Sequence, residues 1–248
     1  MLAEIVDDYI AKKREAEKRD NSKFRVSDAG RCHLMRYWKR LGIPASDQPD
    51  TRTQRVFEVG HVFHRWIQDV IQMKGLLEEM EYRVEDEHMI GHIDAIVHGP
   101  EGLILYDFKT VHSRKFHYKR KEGNNGDMHY AIQAYTYSMM VPFPVHDARI
   151  AYISKDDLCI EEVSVFKIDN IFDLVRNDWF PLVQAWRKQE EPIPSPMDWE
   201  CRYCIYKTKC NEEQAEKERA EVEAEARARV AEKAEEAKEM GVFWNAFL

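Results

Sequence analysis

The chain has 248 residues, 44% of them hydrophobic, which suffices for one sizeable domain or two small ones with a filled core and excludes disordered and fibrous classes. No run approaches the roughly 18 apolar residues of a membrane span, and the N-terminal MLAEIVDDYIAKKREAEKRD is charged where a signal peptide is apolar, so a soluble, cytoplasmic protein without a membrane partner is expected. The net charge of −8 argues against a nucleic-acid partner at first sight, yet eleven Glu and six Lys or Arg fall after residue 210, net −5, leaving −3 for the first 210 residues.

Residues 1 to 20 read as a charged amphipathic helix. Ser27 or Asp28 is positioned to cap a second helix running to about Leu41, with Gly42 and Pro44 stopping it. Phe57, Val62, Phe63, Trp66, Ile67, Val70 and Ile71 recur at helical spacing and Gly75 follows, which predicts a core helix over about 53 to 74. It carries Gly60 and His64 on one side. From Tyr82 to Thr110 the period changes to two, and HMIGHIDAIVH, GPEG and LILYDFKTV read as two antiparallel strands around a tight turn.

The segment HSRKFHYKRK follows, with Arg114, Lys115, Lys119, Arg120 and Lys121 and no acid, a cluster fit for phosphates and equally for a solvated loop. Tyr106, Phe116 and Tyr118 beside it suit base stacking or burial alike. HYAIQAYTYSMM resumes a helical pattern and ends at Val141 and Pro142; 147 to 167 reads as a second hairpin, and 168 to 189 as a helix. A proline-rich stretch leads into CRYCIYKTKC. The remainder, 211 to 248, forms a separate part: a long Glu/Ala-rich helix to about 240, then GVFWNAFL, whose Phe243, Trp244, Phe247 and Leu248 either fold back or dock a protein partner.

The hairpin carries the chemistry. Asp107 and Lys109, two apart in a strand, project from one face. If GPEG is the connection, His98 pairs with Leu103 and the same register sets Asp94 against Asp107. Opposed like charges repel, so something positive belongs between them, and hard oxygen ligands suit Mg²⁺ or Mn²⁺. Lys109 beside such a site can orient a water or offset charge on a phosphate. The bland alternative is a surface ion pair of Asp107 with Lys109 and a turn at Asp94.

Cys201-x2-Cys204-x5-Cys210 is compact enough for a metal site that needs one more thiolate. Cys159 reads as a small buried strand residue, whereas Cys32 stands at a helix start beside basic residues that favour a thiolate, so Cys32 is the chosen fourth ligand.

GHID, a turn and LILYDFKT together resemble the PD-(D/E)xK nuclease superfamily, with Ile93 in place of the usual proline and Asp107 as the (D/E) residue. Gly60-x-x-x-His64 resembles the G-x-x-x-H motif of its RecB-like branch, and Gln133-x-x-x-Tyr137 the Q-x-x-x-Y motif that follows the lysine strand. Three late cysteines and one early one resemble the iron-sulfur members of that branch, the CRISPR-associated exonuclease family (Cas type four) among them. The resemblance spans about Ser27 to Cys210, a domain of residues 1 to 210.

That resemblance implies an α/β, restriction-endonuclease-like core with a central mixed sheet flanked by helices, a metal-stapled helical part and the long C-terminal helix. It implies a Mg²⁺- or Mn²⁺-dependent DNA exonuclease acting on single strands or free ends, in CRISPR adaptation, phage or repair processing. His64, Asp94 and Asp107 would bind the metal and Lys109 would position water. Gln133 and Tyr137 would hold the DNA strand or order the active site, and Arg114, Lys115, Lys119, Arg120 and Lys121 would contact DNA phosphates. Cys32, Cys201, Cys204 and Cys210 would carry a 4Fe-4S cluster, with structural Zn²⁺, held by these four or with His33, as the alternative. A different class of function, a non-catalytic DNA-end-binding or assembly module recruiting partners through the C-terminal helix and tail, fits the same chain.

Overall fold

The computed structural model describes residues 1–16, 20–121 and 127–245, with backbone alone at 118–121, 226 and 228–245. Two compact units divide the chain: residues 1–44 with 48–203, and 45–47 with 204–248. The division thus falls at Tyr203, seven residues ahead of the compositional change at 210.

The first unit is α/β, built on a mixed sheet flanked by helices. Six strands, β1 (Phe24–Arg25), β2 (Leu77–Glu85), β3 (Met89–Gly99), β4 (Gly102–Val111), β5 (Asp147–Ser154) and β6 (Ile160–Ser164), form one sheet in the order β1-β3-β4-β5-β6, with β2 paired to β3. The expected hairpin is β3–β4, in the expected register, with His98 opposite Leu103 and Gly99 opposite Gly102. β2 lengthens the two-residue period back to Leu77. It is mostly exposed and charged, so no apolar alternation marks its start. β5 pairs parallel with β4 and antiparallel with β6, and its residues are nearly all buried, as a central strand's are.

One face of the sheet is covered by α3 (Thr51–Met73), whose Phe63, Ile67 and Ile71 pack on Ala95, Val97, Phe108, Ala151 and Ile153. Asp50 caps this helix through the amide of Thr53 at 2.7 Å. Gly75, at φ +68°, ends it in the left-handed region where a side chain is penalised. α1 (Leu2–Ala16) lies along α3, joined by the two-pronged Arg55–Asp7 contact and by Lys13–Glu58, all at 2.7 Å.

The opposite face carries α5 (Met128–Met140), backed by α6 (Ile171–Lys188) and α2 (His33–Arg40). Trp179 on α6 donates to Thr136 Oγ1 at 2.9 Å, and Arg36 on α2 bonds Asp178 at 2.8 Å while lying over the Trp179 ring. The residue before α2 is Cys32, which supplies no side-chain cap. Neither Ser27 nor Asp28 caps this helix as expected: residues Val26–Asp28 wind into a 3-10 turn, and Asp28 pairs with Lys39 at 2.7 Å instead.

The basic run after β4 is helical, α4 (Ser113–Lys121). In the second unit α7 spans Lys207–Asn245, consistent with its Glu/Ala/Lys composition. Its first turn is capped from residues 45–47: Asp47 accepts from the Thr208 amide at 2.8 Å and hydroxyl at 2.9 Å, which also holds the Asp47 carboxyl below its ordinary value. The side chains of Phe243 and Trp244, and Phe247 and Leu248 altogether, lie outside the described residues, so the expectation for that tail is not addressed. No described helix is long and apolar enough to cross a membrane.

Candidate active site

The β3–β4 ladder stops at Ala95–Tyr106, although both strands continue. Beyond that pair β4 stays with β5, while one edge of β3 stays with β2 and the other is met again only at Met89 and Ile90, by β1. An opening is left along Gly91–Asp94. Asp94 and Asp107 are the first pair of the register past the ladder's end. Asp94 Oδ2 accepts the Phe108 amide at 2.6 Å, so a side chain takes over where the backbone ladder fails.

Helix α3 supplies two residues from the other face. His64 Nδ1 lies 3.4 Å from Asp94 Oδ1, and its ring meets Phe108 edge-on. Four residues on, buried Gln68 donates to the Asp94 carbonyl at 2.8 Å and to Glu81 at 2.9 Å, fixing the backbone beneath the carboxylate. Nothing in the sequence reading singled out Gln68. Its signal is present, a polar residue one turn beyond His64 on a helix face that also carries Phe63 and Ile67.

Helix α5 closes the site from behind. Lys109 Nζ stands 3.0 Å and 2.8 Å from the two oxygens of Asp107 and 3.1 Å from Gln133 Oε1, and Gln133 Nε2 donates to Asp107 Oδ1 at 2.8 Å. Asp107 Oδ2 is buried and, beyond its ion-pair contact with Lys109, accepts no hydrogen bond. Tyr137 hydrogen-bonds Gln133 and the backbone of His92, filling the opening along β3. It can do so only because residue 91 is glycine: a Cβ there would stand 2.5 Å from Tyr137 Cε1. Gln133 and Tyr137 are 4% and 2% exposed. Their bonds run to the acid–lysine pair and to a strand edge, which places them inside this group of residues.

Burial pushes the Asp107 carboxyl up to about 6; the Lys109 charge opposes that rise and the Asp94 charge adds to it. Burial alone would drive the Lys109 amine down, but Asp107 and Asp94 hold it above its usual value. Burial likewise favours neutral His64, against which its bond to Asp94 raises it. The groups displaced from their ordinary values are thus gathered at one point, which makes it the candidate site. The positive charge beside Asp107 is the Lys109 ammonium, and among the described residues no three His, Cys, Asp or Glu side chains are gathered as a metal cage.

His64, Phe108, Lys109 and Thr110 form part of the wall of a cleft of about 780 Å³. Arg14, Lys23, Arg25, Lys39, Arg40 and Lys155 line it too, against the acids Asp28 and Glu58. The sequence could not show this basic cleft, because its bases come from separate elements and meet only in the fold. Of the basic run expected to contact phosphates, Arg114 and Lys115 are not among the residues lining this cleft, and Lys115 pairs with Asp127 at 3.1 Å. The side chains of Lys119, Arg120 and Lys121 lie outside the described residues. Of the aromatic residues near the run, Phe116 is buried and Tyr106 bonds Glu162, while the Tyr118 side chain is not described.

Cys32 and Cys201 belong to the first unit and Cys204 and Cys210 to the second. Within the first, buried Glu200 joins the neighbourhoods of both its cysteines: it accepts the Cys32 amide at 3.1 Å, pairs with Arg31 at 2.6 Å, and directly precedes Cys201 in a 3-10 turn. Within the second, Cys204 Sγ accepts the Tyr206 amide at 3.4 Å. Cys159 is neither in a strand nor buried; it stands half-exposed just before β6, after the turn that closes the β5–β6 hairpin.

No family model matches this chain, and no curated protein matches it. Among solved structures, its fold is similar to that in the crystal structure of SSO0001, with 20% sequence identity and a TM-score of 0.51 over 83% of this chain and 94% of that one. Likeness at that identity concerns the fold.

Proposed function

We propose that the protein is a Mg²⁺- or Mn²⁺-dependent deoxyribonuclease of the RecB-like PD-(D/E)xK type, acting as an exonuclease on single strands or DNA ends. The observation that carries this reading is the convergence of Asp94, Asp107, Lys109 and His64 where β3 and β4 part, beside a cleft rich in bases. The donors here are hard oxygen and nitrogen atoms, which suit a divalent cation, and its binding would require Lys109 to give up Asp107 Oδ2 and the two carboxylates and the imidazole to draw together, since they are not gathered as a cage without it. Asp94, Asp107 and His64 would hold it. When bound, such an ion acidifies water and neutralises charge on a phosphate oxygen.

The chain's own groups supply the rest. Lys109, kept cationic by its two carboxylates, orients water and offsets phosphate charge, and does not serve as the base. Gln133 holds Lys109 and Asp107 in fixed relation through both ends of its amide. Cys32, Cys201, Cys204 and Cys210 are proposed as ligands of a 4Fe-4S cluster, with Zn²⁺ as the alternative, a reading that rests on their spacing and, for the first two, on Glu200.

The test is cleavage of end-labelled single- and double-stranded DNA by protein purified without oxygen, with Mg²⁺, Mn²⁺ or chelator. Asp94→Ala and Lys109→Ala are expected to lower the rate at least about 100-fold with the fold intact. Undiminished cutting by either variant would overturn the assignment.

A further inference from the structure

The cleft beside the candidate active site holds an aromatic side chain that its packing does not explain. Phe57, on α3, lines the cleft and is 55% exposed. Its chain neighbours are engaged elsewhere, Arg55 with Asp7 and Glu58 with Lys13, and both contacts hold α3 to α1. Phe57, Gly60, His61 and His64 follow one face of the helix, all of them lining the cleft. The seven residues from Phe57 to His64 put the ring about 10 Å along the axis from the candidate metal ligand. With a base-to-base rise of about 3.4 Å, that is roughly three stacked nucleotides.

The charges around it are those a strand backbone requires. Arg14, Arg25 and Lys155 line the same cleft from α1, β1 and the segment after β5, and among the described residues none of the three has a carboxylate within salt-bridge distance. Unneutralised bases along a groove with an exposed aromatic face inside it are the combination that binds single strands without regard to sequence, since each base offers a π-face and each phosphate a charge. A duplex keeps its base faces stacked inside and cannot use the ring.

We propose that Phe57 is the stacking platform for a base of a single-stranded nucleic acid lying in this cleft about three nucleotides from the acid–lysine centre, with Arg14, Arg25 and Lys155 on its phosphates. This rests on the nuclease reading for the direction of the strand toward that centre, and not for its binding.

The experiment measures fluorescence anisotropy of a labelled 20-mer of thymidine, in chelator so that no strand is cut. Wild type is compared with Phe57→Ala and Phe57→Trp, and melting temperature confirms that each variant folds. Phe57→Ala is expected to weaken single-strand binding about 5- to 150-fold while Phe57→Trp retains it, and neither changes duplex binding. A 20-mer abasic at every position should bind wild type more weakly than the intact strand, and the loss caused by Phe57→Ala should disappear on it. Equal affinity of Phe57→Ala for the intact strand, or a loss that persists undiminished on the abasic strand, overturns the platform. Phe57-dependent binding by a protein that cuts nothing with Mg²⁺ or Mn²⁺ upholds the platform and sinks the nuclease reading; cutting without Phe57 dependence does the reverse.

Discussion

Replacing Asp107 by Asn removes a charge that the fold holds at a cost, and the cost has a definite pH signature. The folded protein keeps the Asp107 proton up to about pH 6, against an ordinary aspartate value of 3.8. Between those values the folded state binds more protons than the unfolded chain, so this group's contribution to stability falls as pH rises, fully present below 3.8 and lost by about 6. At 1.36 kcal/mol per pH unit the interval amounts to about 3 kcal/mol. The asparagine variant does not titrate. Its stability relative to wild type should therefore improve by about 2 kcal/mol between pH 4 and pH 7, the rest of the interval lying below pH 4, on top of an offset from the Lys109 contact it loses.

Urea unfolding followed by tryptophan fluorescence, in chelator, at pH 4, 5, 6 and 7, measures this difference. Titrating groups remote from Asp107 are common to both proteins, whereas His64 is raised by the Asp107 charge, so the comparison is made in a His64→Gln background. Buried His129, pushed down to about 4 by burial, loses stability in the opposite direction over much of the same range and cancels in the comparison. A wild-type-minus-variant difference that stays flat across the series would show that Asp107 is not held as a buried, proton-retaining carboxylate, and the argument for a strained cation site there would go with it.

Two further outcomes follow from the same centre. Gln133→Leu removes the amide that spaces Lys109 from Asp107 and should lower kcat about 10- to 100-fold with DNA affinity in chelator unchanged; equal losses in both would return Gln133 to a substrate-binding role. Gly91→Ala places a methyl group against the Tyr137 ring and should destabilise the protein by about 1–3 kcal/mol in thermal or urea unfolding, whereas a neutral result would show that Tyr137 does not seal the opening along β3.

The periodic parts of this protein were legible in its amino-acid order. The 3.6-residue recurrence from Phe57 to Ile71 placed α3, and the turn GPEG between alternating segments fixed the β3–β4 register, because side-chain period and turn length are local properties. Asp94, Asp107 and Lys109 could be set near one another from that register alone. What local order could not settle was where the ladder ends. The Asp94 side chain takes the Phe108 amide because β4 follows β5 while β3 follows β2, and β5 is almost 40 residues away in sequence. The role of Tyr137 was hidden for the same reason: whether a helical tyrosine faces solvent or plugs a strand gap depends on a glycine 46 positions earlier.

Charge was the hardest property to read in advance. A run of five bases in ten residues stands out in the sequence, yet Arg114 and Lys115 are not among the residues lining the cleft, while Arg14, Arg25 and Lys155, far apart from one another in the chain, line it together. Linear clustering reports only which charges are neighbours along the backbone; an electrostatic groove is a sum over distance in space, and only the packing of α1, α3 and the sheet brings those distances down.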